Sequence, residues 1–214
     1  MSRVILALET SSTMCSVALV ENNEVLNCVE ELCYREHNEK LPSFIKNTLK
    51  NSNKTMDDID ALAISIGPGS FTGLRIGLGF CKGIAYSKGL PIIPVPTMLS
   101  LAFSLKDHEP RNGILFSHSK KVFYQDFKWT KNIPNVKRKA ILAEIGEFLN
   151  DEKLGFHSNC GESFEKMNSI KQAIPSAKDV ALLAYKFYDE WLIEKPYELV
   201  SDYVAPFEIK SSVK

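Results

Sequence analysis

An α/β fold in two lobes is what this 214-residue sequence predicts, and three observations carry that prediction. Short apolar runs alternate with longer amphipathic stretches, the pattern of strands and helices in one chain. The first three runs are joined by links too short to hold a helix, whereas the later ones are separated by helix-length segments. Hydrophobic residues make up 44% and charged residues 24% of the chain, enough for a core without disulfide or metal staples.

The elements follow in order. Residues 3–8, ending in Val4-Ile5-Leu6-Ala7-Leu8, read as a buried strand that stops at Glu9. Residues 14–20 and 24–33 read as the second and third strands. Thr10-Ser11-Ser12-Thr13 and Glu21-Asn22-Asn23 between them are polar turn material, so the three form an antiparallel meander. Over 37–51, Leu41, Phe44, Ile45 and Leu49 recur at helical spacing, with Lys40, Lys46 and Lys50 mostly opposite. Pro42 is expected in the first turn of that helix. A buried strand over 61–66 runs into Gly67-Pro68-Gly69, a helix covers 71–88, and residues 91–96 form a strand bracketed by prolines.

A meander followed by right-handed crossovers is the plan of the ribonuclease H-like and actin-like ATPase folds, a plan often present twice in one chain. The expected division is 1–98 and 99–214, each lobe a mixed sheet flanked by helices. In the second lobe the expectations are a helix at 98–106, strands at 112–117 and 121–129, a helix at 138–149, a strand at 154–160 and a short helix at 162–170. Ser176 with Asp179 resembles a capping box, and Val180, Leu183, Ala184, Phe187 and Trp191 continue one amphipathic helix.

Composition excludes several classes. No run of about 18 apolar residues exists, so no membrane helix is expected, and the first strand is too short for a signal-peptide core. The five cysteines, Cys15, Cys28, Cys33, Cys81 and Cys160, are odd in number and form no CxxC pair, which points to reduced thiols in a cytoplasmic protein. The 26 basic and 26 acidic residues cancel, against a domain that grips nucleic acid alone or a polybasic membrane binder. The balance is uneven along the chain. Residues 1–68 hold six basic and ten acidic side chains, whereas residues 119–139 hold seven basic ones against Asp126. The second run is either a solvated face or a contact to RNA in a larger assembly.

Two segments have site-like chemistry. Glu9-Thr10-Ser11-Ser12 is a hydroxyl-rich turn at the end of a strand, where an anion can be cradled, although such hydroxyls also cap their own turns. Gly67-Pro68-Gly69-Ser70-Phe71-Thr72-Gly73-Leu74-Arg75-Ile76-Gly77 is not a Walker loop, because no Lys-Ser/Thr follows its glycines. Its helix continues with Gly79 and Gly83, and each interior glycine costs about 1 kcal/mol relative to alanine. Gly73 with Gly77, and Gly79 with Gly83, would let another backbone approach. Apolar side chains point nearly all round this helix, so a partner chain or the second lobe is expected to cover its outer side. No metal site is expected. The helix-start His37 is followed four residues later by Leu41 rather than a second histidine, and His108, His118 and His157 are scattered.

Glu9-Thr10-Ser11, the helix start His37-Asn38-Glu39-Lys40-Leu41-Pro42 and above all Gly67–Gly77 resemble the TsaB (YeaZ) family, over roughly residues 4–100. That resemblance implies an actin-like fold with no catalytic activity of its own. It implies partnership with a TsaD-like paralogue and a TsaE-like ATPase in attaching threonylcarbamoyl to an adenosine of certain tRNAs, tRNA being reached only indirectly. It implies a homodimer when the chain is alone. No cofactor is implied, ATP binding being at most weak or at the partner subunit, and Glu9, Thr10, Ser11 and Ser12 being a vestigial phosphate loop. Leu41 stands where TsaD carries a metal-binding histidine. By position, the implied interface is His37, Leu41, Phe44, Ile45, Phe71, Leu74, Ile76, Gly77 and Phe80, and Gly77→Leu is expected to overpack it. The second lobe departs from the family pattern at Ser117-His118-Ser119, Val122-Phe123-Tyr124 and Tyr203-Val204-Ala205. A small actin-like ATPase or kinase using Glu9 is the alternative, and a peptidase a more remote one.

Overall fold

The computed structural model describes residues 2–161, 170–202 and 204. Strands β1 (Val4–Glu9), β2 (Met14–Glu21) and β3 (Glu24–Leu32) form the antiparallel meander. Asn22 and Asn23 turn β2 into β3 with φ of 51° and 68°, the paired left-handed conformation of a two-residue hairpin. Helix α1 (His37–Asn51), strand β4 (Ala61–Ser65), helix α2 (Phe71–Lys88) and strand β5 (Ile92–Val95) complete the first lobe. The sheet order is β3-β2-β1-β4-β5, with β4 and β5 parallel to β1. This is the expected actin-like order.

Because β1 and β4 are buried on both faces, they carry unbroken apolar runs. Leu6, Leu8, Leu62 and Ile64 face α1 and α2. Ile5, Ala7, Ala61 and Ala63 face the other way. Pro42 is the sixth helical residue rather than a first-turn one, because α1 starts at His37 with Glu36 as its uncapped boundary.

Helix α3 (Thr97–Ser104) leads into the second sheet. Strands β6 (Asn112–His118), β7 (Lys121–Thr130), β8 (Ile133–Val136), β9 (Ile141–Glu144), β10 (Phe156–Ser158) and β11 (Lys171–Gln172) are ordered β11-β10-β6-β7-β8, with β9 also on β7. The helix expected over 138–149 is absent. Leu142 and Ala143 face opposite sides of the sheet and β7 offers a free edge, so a strand pairing Lys121 with Glu144 and Tyr124 with Ile141 wins. One 3₁₀ turn at Ile145–Glu147 follows. Strand β8 was not foreseen, since Pro134 and Asn135 argue against a strand. The short helix expected at 162–170 falls almost entirely outside the described residues.

Helix α4 (Ala177–Lys186) ends at Phe187, and a separate turn, α5 (Tyr188–Trp191), follows. The expected continuous helix is therefore broken, with Phe187 and Trp191 stacked at 4.2 Å between ring centres. Ala177, Ala181 and Ala184 of α4 pack on the alanine face of β1, β2 and β4. Small residues on both sides let helix and sheet approach closely. A helix from the second half of the chain thus covers one face of the first sheet. No helix among the described residues is long and apolar enough to cross a membrane.

The start of α4 is held by Ala177 N donating to Ser16 Oγ at 2.7 Å and by Ser176 Oγ accepting from Lys178 N. Asp179, in the first turn, is 6% exposed. Burial pushes its carboxyl up to about 6, Lys178 and Lys106 pulling against that and Glu30 adding to it. Its folded value lies above the ordinary 3.8. The stabilisation of its protonated form is therefore full below that value and lost as pH rises through about 6. Asp179→Asn should flatten the stability profile between pH 4 and 7 and raise stability at pH 8 by about 1–3 kcal/mol. Thermal melts across that range check it; an unchanged profile would refute the assignment.

Candidate partner-binding site

Parallel neighbours β1 and β4 end side by side, so the two turns singled out in the sequence meet. Gly67 has a φ of +119°, which a side chain disfavours, and the Gly67–Pro68 peptide is cis. Ser70 N donates to the Ser11 carbonyl at 2.6 Å, and Thr10 Oγ1 donates to the Gly73 carbonyl at 2.8 Å. A Cβ on Gly69 would lie 2.5 Å from the Ser11 oxygen, and one on Gly73 would strike the Thr10 carbonyl oxygen. Gly67 N donates to Thr97 Oγ1 at 3.1 Å, and Asp202 N donates to the Ile66 carbonyl at 2.7 Å. The glycine motif is thus a lock on the first turn.

That lock bears on nucleotide binding. A helix N-terminus attracts anions through its unpaired N–H groups. Here the Ser11 carbonyl already accepts from Ser70 N, while Ser70 Oγ accepts from Gly73 N at 3.2 Å. Glu9, Thr10, Ser11 and Ser12 are buried. Ser12 Oγ accepts from Met14 N, and Glu9 Oε1 accepts from Ser11 N. Burial pushes the Glu9 carboxyl up, against opposing hydrogen bonds from Ser11. The first turn and the start of α2 thus spend part of their hydrogen-bonding capacity on each other, while Glu9 Oε2 and Ser11 Oγ are buried with no hydrogen-bond partner among the described residues. Among the described residues, no group of three or more His, Cys, Asp and Glu side chains converges as a metal site would require.

Helix α2 has two unlike faces. Gly73, Leu74, Gly77, Leu78, Cys81 and Ala85 are buried. Opposite them Thr72, Arg75, Gly79, Gly83 and Tyr86 form an exposed stripe, flanked by half-buried Phe71, Ile76, Phe80 and Lys82. A Cβ on Gly79 or Gly83 would meet nothing within 4 Å. Arg75 lies over the Phe71 ring at 3.7 Å. Near the helix end, Tyr86 meets Tyr197 edge-on at 6.4 Å, and Lys82 Nζ donates to the Tyr197 carbonyl at 2.8 Å. The 196–199 segment therefore covers one flank of α2 within the chain.

Several expected interface residues lie in the chain's own core. Leu41 and Leu74 are at most 1% exposed, and His37, Phe44 and Ile45 are also buried in the chain's own core. They lie on the core side because α1 and α2 turn their apolar faces onto β1, β2 and β4. Gly77 is no notch for a partner either. A Cβ there would strike Thr10 Oγ1 and come within 2.9 Å of Ile64 Cδ1. Of the nine carried-over positions, Phe71, Ile76 and Phe80 keep accessible surface. Sequence reasoning gave Gly79 and Gly83 a packing role but left them out of the interface; their spacing on the face opposite Leu74 and Leu78 was the available signal.

The comparisons agree with this architecture. The family model for TsaD, tRNA N6-adenosine threonylcarbamoyltransferase, matches residues 28–142. The chain is 33% identical over 148 residues to the tRNA threonylcarbamoyladenosine biosynthesis protein TsaB of Haemophilus influenzae, covering 68% of this chain and 58% of that protein. It is 44% identical over 98 residues to the TsaB of Escherichia coli, covering 46% of this chain and 42% of that one. It thus spans about half the length of these curated relatives. The match to the TsaB of Buchnera aphidicola subsp. Schizaphis graminum is 31% identical and covers 83% of this chain and 76% of that protein. YeaZ from Pseudomonas aeruginosa has the same fold, with a TM-score of 0.76 at 19% identity over 94% of this chain and 99% of that one. With a locked glycine motif, an actin-like first lobe and these relatives, the chain belongs to the TsaB (YeaZ) family.

Proposed function

We propose that this protein serves tRNA threonylcarbamoyladenosine synthesis as a noncatalytic scaffold that binds and activates a TsaD-like subunit. The observation that carries the reading is the glycine-notched stripe of α2, set on a helix whose other face is fixed to the core. Gly79 and Gly83 leave room for a partner helix to approach the backbone, and Phe71, Ile76 and Phe80 supply apolar flanks. The paralogous match to the TsaD family supports a partner of related fold. A partner helix pair seated on this stripe would hold the TsaD-like subunit in an active arrangement. A TsaE-like ATPase completes the assembly, and the chain alone pairs with a second copy through the same stripe. ATP acts at the partner subunit, in keeping with a Glu9–Ser12 turn that is buried and bonded in part to its own backbone.

Co-purification with the cognate TsaD-like protein, followed by reconstitution of tRNA modification with and without this chain, tests the reading. Full activity without the chain, or no complex, would sink it. The ATPase alternative rests on Glu9 as a metal-binding carboxylate. Glu9→Gln is isosteric and removes a buried acid, so the scaffold reading expects unchanged complex formation and a melting temperature equal to or above wild type. Magnesium-dependent ATP turnover by the isolated chain, lost in this variant, would instead establish the alternative.

A further inference from the structure

We infer that the β7–β8 hairpin is a contact to the RNA sugar-phosphate backbone in the assembled complex. This rests on the proposed role in tRNA modification and adds a surface that the role does not require. The hairpin is a fixed ribbon. Phe127 pairs with Val136, Lys128 with Asn135 and Trp129 with Pro134. Directly opposed residues share a face, so Phe127, Trp129, Pro134 and Val136 lie together on one face, which is buried at Phe127 and Pro134 and opens to solvent at Val136. Phe127 and Pro134 are buried, and Trp129 Nε1 donates to the Pro110 carbonyl at 2.8 Å. Lys128 is therefore directed outward by register. Lys137 continues that outer face, its N–H donating to the Asp126 carbonyl at 3.0 Å.

The hairpin tip and the strand exit are held as well. Lys131 and Asn132 adopt φ of 52° and 59°, the two-residue turn that matches strand twist. Gln125 Nε2 donates to the Arg138 carbonyl at 3.0 Å, fixing the chain as it leaves β8.

Lys128, Lys131, Lys137, Arg138 and Lys139 are all exposed, and among the described residues none of them has a carboxylate within ion-pair distance. The neighbouring Lys121 behaves differently, meeting Glu144 at 2.6 Å. The nearby acid, Asp126, accepts from the Tyr124 hydroxyl at 2.8 Å. Five cations without a carboxylate partner among the described residues, two on the hairpin and three just after β8, in a chain of zero net charge, make a local polyanion site. A membrane surface is disfavoured, because the ribbon presents Val136 as its sole strongly exposed apolar side chain among the described β7–β8 residues. RNA phosphates fit, read without regard to sequence because the ribbon offers charge rather than a base-shaped pocket.

Lys131→Gln/Lys137→Gln/Arg138→Gln in the full chain, assembled with the TsaD-like subunit, tests this. A control variant, Lys153→Gln/Lys186→Gln/Lys195→Gln, removes equal charge elsewhere. Affinity for a tRNA transcript is read by fluorescence anisotropy between about 50 and 200 mM KCl. The slope of log affinity against log salt should become shallower by about 2–3 in the hairpin variant, a loss of roughly 16- to 64-fold in salt sensitivity over that range. The control should match wild type, and complex formation should be unchanged in both. Equal slopes in hairpin variant and wild type, or an equal loss in the control, overturn the inference. Loss of the protein complex in the hairpin variant assigns the ribbon to an acidic protein face and also overturns it. If the wild-type chain forms no complex, the scaffold reading fails separately; the same titration on the chain alone then decides the hairpin by whether its salt slope depends on the three cations.

Discussion

Gly73→Ala is expected to destabilise the isolated chain strongly, while the same change at Gly83 should add to its stability. Both glycines lie in α2, and both substitutions gain about 1 kcal/mol of intrinsic helix propensity. At Gly73 the added methyl would strike the Thr10 carbonyl oxygen, which belongs to the backbone of the first turn and cannot rotate away. Either β1 and α2 separate or the Thr10–Gly73 and Ser11–Ser70 hydrogen bonds lengthen. Overpacking of this kind costs about 1–3 kcal/mol and more when the neighbour is rigid, so a net loss of about 3 kcal/mol is expected. At Gly83 the methyl meets open space. Urea melts of the two variants should move the midpoint in opposite directions. A Gly73→Ala chain as stable as wild type would show that the lock between the two turns is slack.

The second large effect is on association. Gly79→Leu/Gly83→Leu fills the stripe with two branched side chains while leaving the core face of α2 untouched. The isolated chain should melt no lower than wild type, because leucine is a better helix former than glycine and a Cβ at either position meets nothing within 4 Å. Affinity for the TsaD-like subunit should fall at least 100-fold, as close backbone approach is blocked at two successive turns, a loss of about 3 kcal/mol. Stability up and binding down is a signature that a folding defect cannot produce. Gly77→Leu is unsuited to the same test. With Thr10 and Ile64 against it, that change damages the fold and would lower binding for the wrong reason.

Much of the first lobe was legible because its elements obey one period each. Leu41, Phe44 and Ile45 recur on one helical face, and the β1 and β4 runs are too short for helices and too apolar for an edge. The Asn22-Asn23 turn and the Gly67–Gly69 exit marked their boundaries in residue chemistry alone. The segment at 138–149 was misread because Ala140 to Glu147 favours a helix locally, whereas the free edge of β7 rewards a strand. Such an edge is known only once the sheet is assembled. The site was legible as a motif but not as a direction. Spacing identified Gly73, Gly77, Gly79 and Gly83 as close-approach positions. Which pair faces Thr10 and which faces outward depends on the rotation of α2 about its axis. The burial of Leu74 and Leu78 fixes that rotation, and the apolar pattern around the helix left it undetermined.

The return of α4 to the first sheet has a consequence for how this chain is made. Ribosomes deliver the sheet residues of the first lobe early, yet Ala7, Ala18, Ala61 and Ala63 gain their cover only when Ala177–Lys186 has been synthesised. At about 5–20 residues per second, that is a delay of roughly 4–18 s during which an alanine-lined face is open to water and to other nascent chains. Its alanines offer less apolar area than the Ile5, Val20, Ile93 and Val95 beside them, and the β5 edge carries Pro94, which has no N–H to donate to an incoming strand. The face that waits for its cover is thus guarded at its edge by Pro94 and lined in part by alanine, which limits what a wrong partner can bury there.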